Sequence, residues 1–516
     1  MGIYESAASA TRDAHRILII GSGFSGLGMA IQLKQAGIHD FLVLEKEGGV
    51  GGTWRVNNYP GCACDVQSHL YSFSFEPNPD WTRMFAPQPE IKAYLEHCAE
   101  KYGITPHLRL NTEVRSARWD DDAGLWHVTD AQGAVYRAQV LVSGMGGLST
   151  PSYPELKGIA NFKGRTFHSQ QWDHDYDLAG KRVAVIGTGA SAIQFVPKIQ
   201  AQVARLDLYQ RTPPWIIPKP DRAISGIERI LFARLPAAQK AIRGAIYSAL
   251  ESRALAFTVE PRLMKLAQKV AEWHIRRQIK SPVLRTLVTP DYTMGCKRVL
   301  ISDDYYPALM QANVDVIGDG INEVRANSIV DSNGVEREVD TIIYGTGFKA
   351  TDPVARGVVF GRDGQDLFDA WPQGPEAYKG AAVAGFPNLF FLMGPNTGLG
   401  HNSMVYMIES QIAYVIDAIR TMKNRRLRSV EVRADAQERF NKSLHQRMRR
   451  SIWSVGGCVS WYVHPESGRN VTLWPGFTWQ FRRLTRRFDA HAYQLSGEGT
   501  HAPAKSAPSE PVATPA

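Results

Sequence analysis

The sequence has few cysteines and no long apolar run. Its 516 residues include five cysteines, and no two of them are spaced as C-x-x-C. That pattern predicts neither a disulfide framework nor a tetrahedral zinc site. No stretch approaches the roughly 18 apolar residues of a membrane-spanning helix, and the amino terminus lacks the basic and apolar parts of a signal peptide. We therefore expect a soluble, cytoplasmic protein without an integral membrane segment or a metal site.

Nucleic-acid binding is also disfavoured, although the chain is basic. The formal net charge is +9, and basic clusters such as KNRRLRS and FRRLTRRF lie in the carboxyl-terminal part. These clusters lack the interleaved aromatic residues and the fold motifs of nucleic-acid binders. We interpret them as solvated helix faces. A phosphate-bearing partner and an anionic membrane surface are the alternatives that the charge leaves open.

The chain contains an internal duplication. Residues 16–33, RILIIGSGFSGLGMAIQL, and residues 181–199, KRVAVIGTGASAIQFVPKI, each combine an apolar strand, a glycine motif and a helix. Each copy is followed by a hairpin signal, DDDAGLWHV or DSNGVEREV, and then by a buried strand that runs into glycines. Alternating strands and helices are typical of parallel sheets. The sequence therefore predicts an α/β fold with two Rossmann-like dinucleotide-binding domains.

Residues 224–290 interrupt the second copy with helical spacing of apolar residues and almost no strand signal. We expect a helical insertion that packs on the neighbouring domain, with contact to a membrane as the alternative. Residues 1–14 are expected to be flexible. Residues 496–516 are rich in Pro, Ala and Ser, and we expect them to form a disordered tail.

The first glycine motif, GSGFSG, predicts an FAD site. Gly21 permits the tight turn, Gly23 lets a pyrophosphate approach the backbone, and Gly26 lets the helix pack close to the strand. The second strand ends at Glu45, 19 residues beyond Gly26. A carboxylate at that position is placed to accept both ribose hydroxyls of an adenosine.

The second motif predicts a different nucleotide. Gly187, Gly189 and Ala192 form it, and Arg211 lies 19 residues beyond Ala192. A carboxylate there would repel a 2′-phosphate, whereas a guanidinium binds it with charge-assisted hydrogen bonds. We therefore expect NADPH rather than NADH, the alternative being that Arg211 is a solvated charge at a strand end.

The two sites give the expected domain boundaries. We predict an FAD-binding domain over residues 15–150 and 348–490, and an NADP-binding domain over residues 151–223 and 291–347. Electrons would pass from nicotinamide to flavin. A disulfide reductase would carry a C-x4-C pair after the first motif, which is absent here, and a simple oxidase would need no second nucleotide domain. Oxygen activation by the reduced flavin remains.

Two longer motifs resemble those of the type I Baeyer–Villiger monooxygenases. The segment FKGRTFHSQQWD fits one family signature through Phe162, Gly164, His168, Trp172 and Asp173. The segment GGTWRVNNYPGCACD fits the other through Gly51, Gly52, Trp54, Tyr59, Pro60, Gly61 and Asp65. The resemblance spans residues 15–485 in motif order. It implies conversion of ketones to esters or lactones with NADPH and O2 through a C4a-peroxyflavin.

The resemblance also assigns the catalytic residues. In MGCKRVLISDDYYPAL, Arg298 matches an essential arginine beside the flavin and Lys297 an NADP phosphate contact, although Val299 stands where many members have proline. A fixed cation there would lower the pKa of the flavin hydroperoxide and keep it deprotonated. Asp65, if close, would orient Arg298; a structural ion pair is the alternative.

The remaining cofactor contacts follow from the same resemblance. For the flavin they are expected at Ser25, Gly52, Thr53, Trp54, Tyr71, Val114, Asn396 and Met404. For NADP they are expected at Thr188, Ala190, Ser191, Gln194 and Thr212. His168 is expected to form a hydrogen bond across the junction of the two domains, where Phe162 and Trp172 pack, rather than to transfer protons.

Rival functions remain open from the sequence. The same chemistry can oxidise sulfides or amines, and a flavoprotein can hold both nucleotides as a sensor without turnover. Trp172, Asp65 and Arg298 favour the ketone monooxygenase. The expected partners are a small ketone and O2, and the expected oligomeric state is a monomer or a homodimer.

Overall fold

The structure is a computed structural model that describes residues 15–351, 354–458 and 460–497. Its strands are β1 His15–Ile20, β2 Phe41–Leu44, β3 Leu108–Arg109, β4 Val114–Asp120, β5 Leu125–Asp130, β6 Val135–Ser143, β7 Arg165–His168, β8 Arg182–Ile186, β9 Arg205–Tyr209, β10 Ile216–Ile217, β11 Leu300–Ile301, β12 Val314–Ile317, β13 Ile321–Val324, β14 Ser328–Asp331, β15 Glu336–Glu338, β16 Thr341–Tyr344, β17 Val359–Phe360, β18 Leu389–Phe391, β19 Leu427–Val432 and β20 Tyr493–Gly497.

The α-helices alternate with the strands in the first part of each copy. They are α1 Phe24–Gln35, α2 Thr53–Val56, α3 Gln88–Lys101, α4 Ala192–Ile199, α5 Gly226–Arg234, α6 Pro236–Ser252, α7 Met264–Gln278, α8 Pro282–Val288, α9 Tyr305–Leu309, α10 Met404–Asn424, α11 Ala434–Met448, α12 Ile452–Val455 and α13 Thr478–Leu484. None of them in the described ranges is long and apolar enough to cross a membrane.

The first sheet has eight strands, in the order β17-β4-β5-β6-β1-β2-β3 with β18 also paired to β6. Strand β1 lies between β6 and β2 and is parallel to both. Ile17, Leu18 and Ile19 are fully buried, because a parallel strand is covered on both faces and therefore consists of a continuous apolar run. The β4–β5 hairpin predicted from DDDAGLWHV is present.

The second sheet repeats the plan with five strands, in the order β12-β9-β8-β16-β7. All four pairings are parallel, and β8 lies between β16 and β9 as β1 lies between β6 and β2. The glycine motifs therefore follow equivalent central strands. The predicted α/β fold with two Rossmann-like units is confirmed.

The described residues include the first two positions of the predicted disordered tail. Ser496 and Gly497, which we expected in the disordered tail, belong to β20 and pair with β19. The prediction was wrong for these two residues because the tertiary pairing with β19, far away in sequence, supplies their backbone partners. The rest of that tail, 498–516, and the amino-terminal residues 1–14 lie outside the described residues.

The helical insertion consists of α5 to α8, as the spacing of apolar residues predicted. Its inner faces are buried through residues such as Phe232, Leu250, Met264 and Ile275. We expected the apolar faces of these helices to be covered by a neighbouring domain, but many of their apolar side chains are exposed. Twelve of the 21 large apolar side chains that are exposed in the described residues lie in this insertion.

The cysteine prediction was wrong. Cys296 and Cys458 form a disulfide across a sequence separation of 162 residues, and the other three cysteines are free and buried. The pairing depends on the loop before β11 meeting the loop after α12, where the backbone N–H of Thr293 also donates to the carbonyl of Gly456 at 3.2 Å. Spacing along the chain carries no information about such a contact.

The segment FKGRTFHSQQWD forms β7 and the turn that follows it. The imidazole of His168 is fully buried and bonds, at 3.1 Å, the carbonyl of Gly347, the last residue of the predicted NADP-binding domain, so this hydrogen bond lies on the NADP side of the predicted junction. Burial lowers the pKa of His168, which favours the neutral ring. Trp172 packs against Phe167 and Phe195, with ring centroids 5.2 Å apart in each case.

Gly164 provides a test of this packing. A Cβ at this position would overlap the carbonyl oxygen of Asp340 and would lie 2.6 Å from the ring of Phe162. Gly164→Ala is therefore expected to lower the free energy of unfolding by about 1–3 kcal/mol, measured by denaturant titration. Gly147→Ala is the matched control, because no atom lies within 4 Å of the added Cβ. Equal stability of the two variants would contradict this account.

Candidate functional site

The first glycine motif forms a tight backbone cradle between β1 and α1. Gly21 has φ +91°, which favours glycine, and a Cβ on Gly26 would overlap the carbonyl oxygen of Gly21. A Cβ on Gly52 would lie 2.8 Å from the Cα of Gly23. The fold thus packs the start of the segment GGTWRVNNYPGCACD against the first glycine motif. Side chains do not fit at this contact, so the surface next to it is formed by backbone.

Glu45 lies directly after β2 and is buried beside this cradle. One carboxylate oxygen accepts hydrogen bonds from the backbone N–H and the hydroxyl of Ser22, both at 2.7 Å. The other accepts from the backbone N–H of Glu47 at 2.9 Å. These bonds fix the carboxylate at the carboxyl end of the strand, where its remaining lone pairs are available to ribose hydroxyls.

An aromatic wall continues from the cradle. Thr53 begins the short helix α2, and the indole N–H of Trp54 in that helix donates to the hydroxyl of Tyr71 at 3.2 Å. The ring of Tyr71 also contacts Phe24 at a centroid distance of 5.2 Å. Burial raises the pKa of Tyr71, so this hydroxyl stays protonated. Ser25, next to Phe24 in α1, is buried as well.

Three other predicted flavin contacts occupy separate elements. Val114 begins β4 and Met404 begins α10, and both are half-buried. Asn396 has φ +56°, and its side-chain amide donates to the carbonyls of Asn470 at 2.8 Å and Leu473 at 3.1 Å. The amide oxygen of Asn396 is buried and has no hydrogen-bond partner among the described residues. Such an acceptor fits a donor group on a bound ligand.

The second glycine motif repeats the geometry of the first. Gly187 has φ +102°, and a Cβ there would lie 2.5 Å from the carbonyl oxygen of Gly345. The hydroxyl of Thr188 donates to the carbonyl of Thr212 at 3.3 Å. Gly189 and Ala190 are exposed, Ser191 is half-buried, and Ala192 opens α4. The backbone of Gly189 and Ala190, directly before α4, is therefore the part of the motif that is open to a phosphate.

Two cations converge beside this motif from distant parts of the sequence. Arg211 is exposed just beyond β9, and Lys297 lies in the loop before β11. Burial, together with the positive charge of Arg211, lowers the pKa of Lys297. The carboxylate of Asp291 offsets this effect only in part, and two cations held this close together are typical of an anion-binding site.

Gln194 links the two halves of the site. Its side-chain oxygen accepts from the hydroxyl of Tyr59 at 2.9 Å and from the backbone N–H of Ala63 at 3.3 Å, and its amide donates to the carbonyl of Ala63 at 3.0 Å. The nucleotide contact of Gln194 stays a prediction. In the structure its side chain also braces α4 against the segment that leads to Asp65.

Arg298 and Asp65 meet at the end of that segment. The guanidinium donates to one oxygen of Asp65 from Nε at 2.9 Å and from Nη2 at 2.5 Å. The pair is partly exposed, with 37% of the Arg298 side chain and 28% of the Asp65 side chain accessible. The Asp65 carboxylate raises the pKa of Arg298, so this residue is a permanent cation. Its other guanidinium nitrogen, Nη1, has no hydrogen-bond partner in the described part of the chain and is available to a ligand.

Tyr462 is a site residue that the sequence reasoning missed. Its hydroxyl is buried and has no hydrogen-bond partner in the described part of the chain. Burial raises the pKa of Tyr462 to about 12, and the charges of Arg298 and Asp65 also act on it. Spacing along the sequence gives no signal for this role, because Tyr462 lies in the loop between α12 and α13, far from Arg298 in the chain.

The whole chain is similar to known flavin-dependent monooxygenases. Residues 14–360 match the family described as flavin-binding monooxygenase-like. The chain is 69% identical over 481 residues to a Baeyer–Villiger monooxygenase of Pseudomonas aeruginosa, covering 93% of this chain and 91% of that protein. It is 51% identical over 482 residues to one of Streptomyces coelicolor, covering 93% and 92%.

Solved structures of similar proteins have the same fold as this chain. Cyclohexanone monooxygenase from Rhodococcus sp. Phi1 bound to NADP+ superposes with a TM-score of 0.82 at 26% identity, covering 94% of this chain and 100% of that one. The complex of OTEMO with FAD and NADP gives a TM-score of 0.82 at 27% identity, covering 93% and 99%.

The bracing role of Gln194 can be measured. Gln194→Ala removes three hydrogen bonds and leaves buried partners unpaired, so the free energy of unfolding is expected to fall by about 1–3 kcal/mol. Gln202→Ala is the control, because that amide makes one exposed bond to the carbonyl of Lys198. Chemical denaturation compares the two. A loss no larger than that of the control would show that Gln194 does not hold the halves together.

Proposed function

The chain belongs to the flavin-binding monooxygenase-like family and is a Baeyer–Villiger monooxygenase, and on this basis we propose how its residues share the conversion of ketones to esters or lactones. The enzyme uses FAD and NADP. The observation that carries the residue assignment is the ion pair of Arg298 with Asp65, which unites a signature aspartate with an arginine 233 residues away.

The residues beside β1 fit FAD. The cradle leaves no space for a side chain at Gly21 or Gly52, and the Glu45 carboxylate is placed for the ribose hydroxyls. The buried amide oxygen of Asn396, which has no partner among the described residues, can accept a hydrogen bond from the cofactor. When bound and reduced by NADPH, FAD supplies the activation of O2 that places one oxygen atom beside the ketone carbonyl and releases the other as water.

Arg298 stabilises the negative charge that develops on the carbonyl oxygen of the substrate. A cation fixed before the reaction begins costs no reorganisation at that moment. Asp65 holds the guanidinium in place through two hydrogen bonds. The protonated hydroxyl of Tyr462 lies in the same electrostatic environment and can donate a further hydrogen bond. Trp54, Tyr71, Ser25, Thr53, Val114 and Met404 are proposed to surround the flavin and exclude water.

Arg211 and Lys297 are proposed to bind the 2′-phosphate of NADPH. Their convergence gives the site two positive charges, which exceed the single charge of the nearby Asp291, and Arg211 stands where an NADH-binding site would carry a carboxylate. The start of α4 receives the pyrophosphate through Thr188, Ala190 and Ser191. His168 holds the carbonyl of Gly347, just after β16, and is not proposed to transfer protons. Domain boundaries, a cytoplasmic location and a monomeric or homodimeric state stay predictions.

The sulfide- or amine-oxidising alternative makes a different product from the same cofactors. Arg298 places a positive charge where it can stabilise a negatively charged carbonyl oxygen. This favours ketones as substrates, because a sulfide or an amine develops no oxyanion in the reaction. Aerobic incubation with NADPH and a panel of ketones and sulfides, with products identified by mass, separates the two functions. We expect esters or lactones. Efficient sulfoxide formation without either product would overturn the proposal.

Arg298→Ala tests the role of the cation. Flavin reduction by NADPH is expected to continue, while the rate of ester formation falls by about 100-fold or more. Stopped-flow absorbance follows the reduction, and product analysis follows the oxygenation. Arg325→Ala, on an exposed hairpin remote from Asp65 in sequence, is the control. Full ester formation by Arg298→Ala would remove Arg298 from the reaction.

Arg211→Ala tests the phosphate assignment. The variant loses a charge-assisted contact, so the KM for NADPH is expected to rise about tenfold or more while the KM for NADH changes little. Steady-state kinetics with each coenzyme gives both values. Arg420→Ala removes an exposed arginine from α10 as a control. Equal effects of Arg211→Ala on the two coenzymes would contradict 2′-phosphate binding.

A further inference from the structure

The outer face of α7 carries an apolar stripe that no described residue covers. We define the stripe as Leu263, Leu266, Val270 and Trp273, whose side chains are 43%, 64%, 48% and 49% exposed. Their spacing of three, four and three residues places them on one side of the helix. Leu255 and Val259, in the segment just before the helix, are also exposed. The stripe is therefore continuous along the helix rather than a set of scattered residues.

The opposite face fixes α7 to the protein. Met264, Ala271, His274 and Ile275 are buried, and the ring of His274 bonds the carbonyl of Ser302 at 2.9 Å. The side-chain oxygen of Gln268 accepts from the backbone N–H of Met294 at 3.4 Å. The buried face attaches α7 to the rest of the protein, so the stripe on the other face points outward.

Positive charge surrounds the stripe. Residues 224–290 contain twelve lysines and arginines against four glutamates, a net charge of +8 out of +9 for the whole chain. Along α7 and its start the cations are Arg262, Lys265, Lys269, Arg276 and Arg277. The two glutamates of this stretch are already paired, Glu260 with Arg262 and Glu272 with Arg276. The surface therefore combines exposed apolar side chains with unneutralised cations.

We propose that this face of α7 docks on an anionic phospholipid bilayer. Apolar residues that include a tryptophan and are flanked by lysine and arginine match an interfacial helix, which lies in the membrane plane without crossing it. Each cation near an anionic surface adds to the affinity. A second copy of the chain could also cover an apolar stripe, but its cations would then face the same cations, which opposes self-association.

Vesicle sedimentation with the full-length holoenzyme tests the proposal. At physiological ionic strength we expect the protein to pellet with vesicles of equal parts phosphatidylcholine and phosphatidylglycerol, to stay largely in solution with phosphatidylcholine alone, and to be released by high salt. Leu266→Gln/Val270→Gln is expected to reduce the partition coefficient about tenfold or more. Lys265→Gln/Lys269→Gln is expected to reduce it by a similar factor on the anionic vesicles only.

Val335→Gln is the matched control, because it removes an exposed apolar side chain from the hairpin outside the insertion. All variants change exposed residues, and unchanged thermal unfolding verifies that they are folded. Vesicle binding by both double variants at the level of Val335→Gln would overturn the proposal. So would absence of binding to anionic vesicles, or a dimer seen by sedimentation velocity that Leu266→Gln/Val270→Gln dissociates.

Discussion

The ion pair of Arg298 with Asp65 is the contact on which the site depends. Asp65 ends a signature segment that begins at Gly51 and packs against the first glycine motif, while Arg298 belongs to the loop before β11. The loop is held on both sides of the arginine, by the Cys296–Cys458 disulfide and by the pairing of Ile216 with Leu300. Because removal of one member would leave the other charge partly buried and unpaired, the two residues constrain each other strongly.

The duplicated sheets explain how the cofactor sites reach this pair. Each glycine motif follows a central parallel strand, so each nucleotide site opens at the carboxyl edge of its sheet. Gln194 and Tyr59 then join the start of α4 to the segment that carries Asp65. The two Rossmann-like units are therefore joined by hydrogen bonds on the segment that leads to Asp65, the partner of Arg298. His168 holds β7 to the loop after β16 through the carbonyl of Gly347, within the second unit.

The insertion between β10 and β11 has an inner face that packs on the protein and an outer face that is exposed. Its inner face supports the arginine loop, since Met264 lies close enough to Gly295 that an added Cβ would meet the methionine methyl at 2.9 Å. Its outer face presents the apolar stripe and most of the net positive charge of the chain. The segment before Arg298 thus lies directly behind the helix that we propose to meet a bilayer.

The sequence by itself determined the two Rossmann-like units and the signature residues, and it predicts the nucleotide preferences from Glu45 and Arg211, because all of these depend on local spacing. Strand periodicity and glycine positions are short-range properties, and they predicted β1, β8 and their turns correctly. The tertiary structure alone decided which distant side chains meet. Spacing along the sequence could not show that Cys296 pairs with Cys458 or that β20 extends to Gly497. Nor could it show that Gln194 braces α4 or that Tyr462 lies near the charge of Arg298. It also could not divide the faces of α7 between core and solvent, because an amphipathic pattern shows that a face is apolar but not whether the fold covers it.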